Sequence, residues 1–172
     1  PLVLVWTHDE EVGCRGSAVL AEALKEQGRT LPKAMVVGEP TDFRVAHLHP
    51  GHSTFIIECT GRPAHSARPG LGLSAIALAR DVLVALTSVE QQLAETRRFE
   101  AQLPTPYTLL NVGEIRGGTA VNIIPEHCRI TVGVRPLPGL LTSTVGAIIA
   151  AALEEVQVHA ESNGGRVHLS LA

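Results

Sequence analysis

Aromatic residues are scarce in this sequence, at 3% of 172 residues, with one Trp, one Tyr and three Phe. Any core must therefore be aliphatic, built from Val, Leu, Ile and Ala, and a hydrophobic content of 45% is enough to build one without cross-links. There are only three cysteines, Cys14, Cys59 and Cys128. They are far apart and odd in number, which excludes a disulfide framework and a zinc-knuckle spacing and favours a reducing, cytoplasmic setting. No apolar run reaches the ~18–20 residues needed to span a bilayer, and no signal peptide is visible. A net charge of -3 gives no electrostatic reason to expect nucleic acid or an anionic membrane as partner. Lysine is nearly absent, since Arg supplies almost all of the basic residues, and this carries no functional weight. An initiator Met is also lacking, so the chain reads as part of something longer.

The residues that are present fall into two patterns. Leu2-Val3-Leu4-Val5-Trp6 and Ala34-Met35-Val36-Val37 are short continuous apolar runs, which suit strands buried on both faces of a parallel sheet. Between them Ser17 to Gln27 has helical spacing and Gly28 is a stop signal. This predicts a βαβ unit. From Thr54 onward the pattern becomes alternating: Thr54–Cys59, Tyr107–Val112, Cys128–Arg135 and Val167–Leu171 read as strands. Leu73–Glu90 and Thr142–Gln157 read as helices. The order β-α-β-β-α-β predicts a ferredoxin-like α+β domain, with helices on one face of a four-stranded antiparallel sheet. The expected division is a partial α/β domain over residues 1–47 and a smaller α+β domain over 48–172.

Chemistry-bearing residues collect at strand ends. Thr7-His8-Asp9-Glu10-Glu11-Val12-Gly13 follows the first apolar run, and Gly38-Glu39-Pro40-Thr41 follows the second. Ligand sites in open α/β sheets lie beyond the carboxyl ends of the strands, so Glu10, Glu11 and Glu39 would share one crevice. Converging carboxylates need a counter-charge, and a divalent cation supplies it. The alternative reading is of acids at a helix start, where the helix dipole favours them.

Asp9-Glu10-Glu11-x-Gly with Gly38-Glu39-Pro40-Thr41 resembles the family of acetylornithine deacetylase and succinyl-diaminopimelate desuccinylase, which are binuclear zinc hydrolases with a lid or dimerisation domain. The resemblance implies that Glu10 is the catalytic base and that Glu11 and Glu39 are metal ligands. It implies two zinc ions in the intact enzyme, with cobalt as a substitute. It also draws in three lid motifs. Gly61-Arg62-Pro63-Ala64-His65-Ser66-Ala67-Arg68-Pro69 matches the family's His-Ser loop, whose His reaches across a homodimer and steadies the oxyanion. Read alone, His65 is a solvated loop residue. Gly117-Gly118-Thr119-Ala120-Val121-Asn122-Ile123-Ile124-Pro125 matches a stretch whose Asn faces substrate; read alone, it is a hairpin connection. Arg135, before Pro136-Leu137-Pro138-Gly139, matches an Arg that holds the substrate carboxylate, a task that suits a guanidinium fork. The Arg-Pro-Leu-Pro-Gly run leans toward the acetylornithine deacetylase branch. Pro50 is a departure, because a Lys often stands there in that branch. His47, His49 and His52 form a cluster from which the family draws no metal ligands.

The family's His-x-Asp pair, its bridging Asp and its C-terminal His are not in this sequence. The resemblance therefore covers nearly all of the chain but well under half of a family member, and the chain by itself is expected to be inactive. The function implied is zinc-dependent removal of an acyl group from an N-acylated amino acid, in amino-acid biosynthesis (arginine biosynthesis, by the resemblance). The alternatives are a metallocarboxypeptidase or dipeptidase of the same family, and a non-catalytic dimerisation module.

Overall fold

A computed structural model describes residues 3–30, 33–98 and 102–172. The chain divides into two compact units, Pro1–Val45 and Ala46–Ala172.

In the first unit the helix forms as its spacing predicts, as α1 (Arg15–Glu26), and Gly28 beyond it takes a left-handed φ of 59°. The chain enters α1 through a tight turn in which the Glu10 carbonyl accepts from the Gly13 and Cys14 amides, while the His8 carbonyl accepts from Gly16. Gly16 is obligatory here, since a Cβ would lie 2.5 Å from the His8 carbonyl oxygen. The two flanking strands are not realised. Residues 3–7 and 34–38 are without ladder pairing, and Val3, Trp6 and Val36 are exposed, Val36 at 97%. Leu2 of the first run lies outside the described residues. Parallel strands need a neighbour in the ladder and cover on both faces, and among the described residues of this unit a single helix is all that accompanies them.

The second unit is the expected α+β domain. It contains β1 (Ser53–Thr60), α2 (Ala75–Glu95), β2 (Leu109–Gly117), β3 (His127–Arg135), α3 (Thr142–Ser162) and β4 (Arg166–Leu171). The sheet order is β2-β3-β1-β4, antiparallel throughout. Alternation decides which face is covered. Phe55, Ile57 and Cys59 of β1 and Cys128, Ile130, Val132 and Val134 of β3 are buried against the helices, while Glu58, Arg129 and Arg135 lie on the open face. Each fully buried Ile or Val contributes ~1.5–3 kcal/mol. The helix α2 starts where the Ser74 hydroxyl accepts from the Ala77 amide, and it buries Leu78, Val82, Leu86, Val89 and Leu93 at helical spacing. From α3, Val145, Ile149 and Leu153 complete the core.

β2 runs longer than its alternation suggests because of a bulge between Val112 and Glu114. Leu110 and Val112 face the core before it, and after it Ile115 is paired with Ile130, so the side of the sheet that even residues take before the bulge is taken by odd residues after it, where the strand is exposed. Gly117, opposite Cys128, is required by close approach, since a Cβ would lie 2.7 Å from the Cys128 sulfur. No helix among the described residues is long and apolar enough to cross a membrane.

Candidate functional site

At one end of the sheet two loops are laced together through their backbones. The loop after β1 leaves through Gly61, whose amide donates to the Glu126 carbonyl at 2.7 Å, and it closes on itself through paired bonds between Arg62 and Leu73. Its outer limb pairs with the connection between β2 and β3. The Ile124 amide donates to Ala64 at 2.8 Å, the Ser66 amide donates to Asn122 at 2.9 Å, and His65 bridges Ile123. His65 and Asn122, drawn from motifs 57 residues apart in sequence, thus stand on adjacent backbone segments, both exposed. The Ala67 amide donates to His65 Nδ1 at 3.1 Å. An imidazole nitrogen that accepts carries no proton, so the neutral ring holds its proton on Nε2, which is left as a donor. That is the tautomer an oxyanion-stabilising histidine needs.

Arg135 stands elsewhere. It ends β3, paired with Leu109, on the open face. The residues after it are fixed: Gly51 donates to the Pro136 carbonyl at 2.8 Å, and the Leu137 amide donates to the buried Thr108 hydroxyl at 3.1 Å. Thr108 is a supporting residue that the sequence pattern did not single out. Between the His127 end of β3, where the two loops lie, and Arg135 there are eight strand steps, roughly 27 Å.

In the first unit Glu10, Glu11 and Glu39 are exposed. The two vicinal acids lie before α1, whose own first turn contains no acid. Glu10 Oε1 accepts a weak bond from the Cys14 thiol at 3.8 Å. Among the described residues no three His, Cys, Asp or Glu side chains are placed to hold a metal ion, and this includes His47, His49 and His52. The described residues do not by themselves fit a zinc pair.

The sequence model of the peptidase dimerisation domain matches residues 48–161, which takes in both laced loops and Arg135. The chain belongs to the peptidase dimerisation domain family. It is 33% identical, over 156 residues, to acetylornithine deacetylase of Klebsiella pneumoniae; the match covers 91% of this chain and 39% of that protein. The chain therefore spans well under half the length of this curated relative. Among solved structures, a hydantoinase/carbamoylase family amidase from Burkholderia ambifaria aligns with a TM-score of 0.55 at 17% identity, over 73% of this chain and 28% of its own. The aminopeptidase PepT from Bacillus cereus aligns with a TM-score of 0.50 at 22% identity, over 72% of this chain and 29% of its own. These two show a shared fold.

Proposed function

We propose that this chain is part of a hydrolase that removes the acyl group from an N-acylated amino acid, and that residues 48–172 form the lid through which two copies pair. The observation that carries the reading is the arrangement of the lid residues: His65 and Asn122 side by side at one end of the sheet, and Arg135 at the other. An N-acyl amino acid is only a few bonds long and cannot touch both ends. In the pairing proposed, the two-fold axis sets the Arg135 end of one copy against the His65 end of the other, so that one copy offers Arg135 and its partner offers His65 and Asn122 to the same substrate.

In this reading the Arg135 guanidinium holds the substrate carboxylate through paired hydrogen bonds. Asn122 orients the amide. His65 donates from Nε2 to the carbonyl oxygen as negative charge develops on it. Glu10 takes the proton of the attacking water and delivers it to the leaving amine. Glu11 and Glu39 are this chain's share of the metal ligands, and zinc dependence is proposed for the longer enzyme as a whole, with a cytoplasmic location. The sequence similarity to acetylornithine deacetylase favours an N-acetylated diamino acid as substrate.

Release of acetate from N-acetylornithine by the longer enzyme, measured beside hydrolysis of simple dipeptides, tests the assignment. Preference for the acetylated amino acid is expected. Preference for dipeptides would make it a dipeptidase, and no hydrolysis of either, with a stable dimer, would leave a dimerisation module.

A further inference from the structure

A side chain that the proposed chemistry does not use ties the His65 loop to the end of α3. Arg62 Nε donates to the Leu71 carbonyl at 2.9 Å, across the mouth of the loop, and Arg62 Nη1 donates to the Asn163 carbonyl at 3.2 Å. Asn163 is the C-cap of α3, where carbonyls lack helical partners and the helix dipole favours a cation. Glycines line the approach to the guanidinium. Gly164 follows with φ 76°, and a Cβ there would stand 3.2 Å from Arg62 Nη1. Gly165 and Gly61 bring the backbones together beside it, since a Cβ on the first would lie 2.5 Å from Leu73 Cδ2 and one on the second 2.0 Å from the Leu73 carbonyl oxygen.

We infer that Arg62 is a positioning residue for His65: its guanidinium clamps both limbs of the loop to the end of α3 and thereby holds the 65–67 turn in which Ala67 fixes the imidazole tautomer. This rests on the role proposed above for His65. Two carbonyls in different segments are bridged by one planar, permanently charged fork, a task that Lys, a point donor on a flexible stem, does not reproduce. Among the described residues the loop's other hydrogen bonds run through backbone groups to residues 122–126 and within itself, and Leu73 packs its far end against the core, so without Arg62 it keeps its path but loses its hydrogen bond to the end of α3.

The test is nuclear magnetic resonance on the 172-residue chain with Arg62→Ala and Arg62→Lys. In Arg62→Ala, exchange of the Ser66 and Ala67 amides is expected to rise about tenfold, the equivalent of losing one charge-assisted hydrogen bond. The core amides of Ile57 and Ile130 should stay protected. The His65 ring nitrogens should lose the bias toward the Nε2–H tautomer that the Ala67 bond gives them. Arg62→Lys should restore protection only in part. A folded Arg62→Ala chain with wild-type ring nitrogens and wild-type Ser66 and Ala67 exchange would overturn the inference. If the alanine variant fails to fold, an Arg62→Lys chain indistinguishable from wild type overturns it equally. None of these readings needs catalysis, so failure of the proposed reaction is told apart by a separate assay: altered ring nitrogens in this chain together with undiminished deacylation by the longer enzyme carrying Arg62→Ala would count against the role of His65 and not against the clamp.

Discussion

In residues 46–172 the sequence Cys128, Ile130, Val132, Val134 ends with all four side chains buried, whereas in residues 1–45 the run Val3, Leu4, Val5, Trp6 ends with all four exposed. The four named side chains of each stretch are all apolar. The first alternates, so each of its strands needs cover on one face only, and α2 and α3 supply it from the same unit. The second is apolar on both faces and would need a sheet neighbour and cover on each side. Apolar content marks a segment as able to be buried, and the partners within reach decide whether it is.

Core truncation should separate the units most sharply. Ile130→Ala is expected to cost about 2–5 kcal/mol in urea denaturation, while Val36→Ser should change stability by less than about 0.5 kcal/mol. A Val36 variant as costly as the Ile130 variant would break the contrast. Next comes the loop that carries His65. Gly61→Ala forces a Cβ into the Leu73 carbonyl and should cost about 1–3 kcal/mol. Gly70→Ala, with open space around it, should be close to neutral by the same measurement.

Thiol chemistry gives a smaller effect that reads both units at once. Cys14 is exposed, while Cys59 and Cys128 are buried opposite each other on β1 and β3. An aromatic disulfide reagent should label Cys14 promptly in the native chain and the other two only on unfolding. Burial first, then the neighbouring Cys128 and Glu58, push the Cys59 thiol from 9.0 up to about 12, and burial raises Cys128 in the same direction. Above pH 9 the unfolded chain gives up protons that the folded chain keeps, so stability should fall as pH rises from 9 toward 12. Cys59→Ala should flatten that slope in denaturation curves, and an unchanged slope would assign it to other groups. The smallest effect belongs to the exposed Arg129–Glu58 pair at 3.3 Å on the open face, where Glu58→Gln should cost no more than about 0.5 kcal/mol.

The α+β unit was legible because its signals were local. Alternation placed β1, β3 and β4 to within a residue or two, and helical spacing placed α2 and α3. The far half of β2 was not legible, because the bulge at Gly113 reverses the alternation midway. The apolar runs of the first unit could be read as able to be buried but not for their pairing among the described residues, since a pattern that fits a parallel strand says nothing about whether its neighbours are in reach. At the site, the Gly-Arg-Pro-Ala-His and Gly-Gly…Asn motifs could be read as loops, but not that their backbones pair, because that contact depends on the β1–β3 register. Thr108 and Arg62 were invisible as supports. A buried hydroxyl and a clamp onto Asn163 are long-range facts, and the paired Gly164-Gly165 was the one hint in the sequence that something comes close.

The most direct measurement mixes two inactive variants of the longer enzyme, His65→Ala and Arg135→Ala. If each site takes its histidine from one copy and its arginine from the other, each mixed pair holds one site with both residues intact. Random exchange of subunits should then recover about a quarter of wild-type deacylation. Recovery to that level is the expected result, and a mixture as inactive as its components, after subunit exchange is verified, would contradict the shared site.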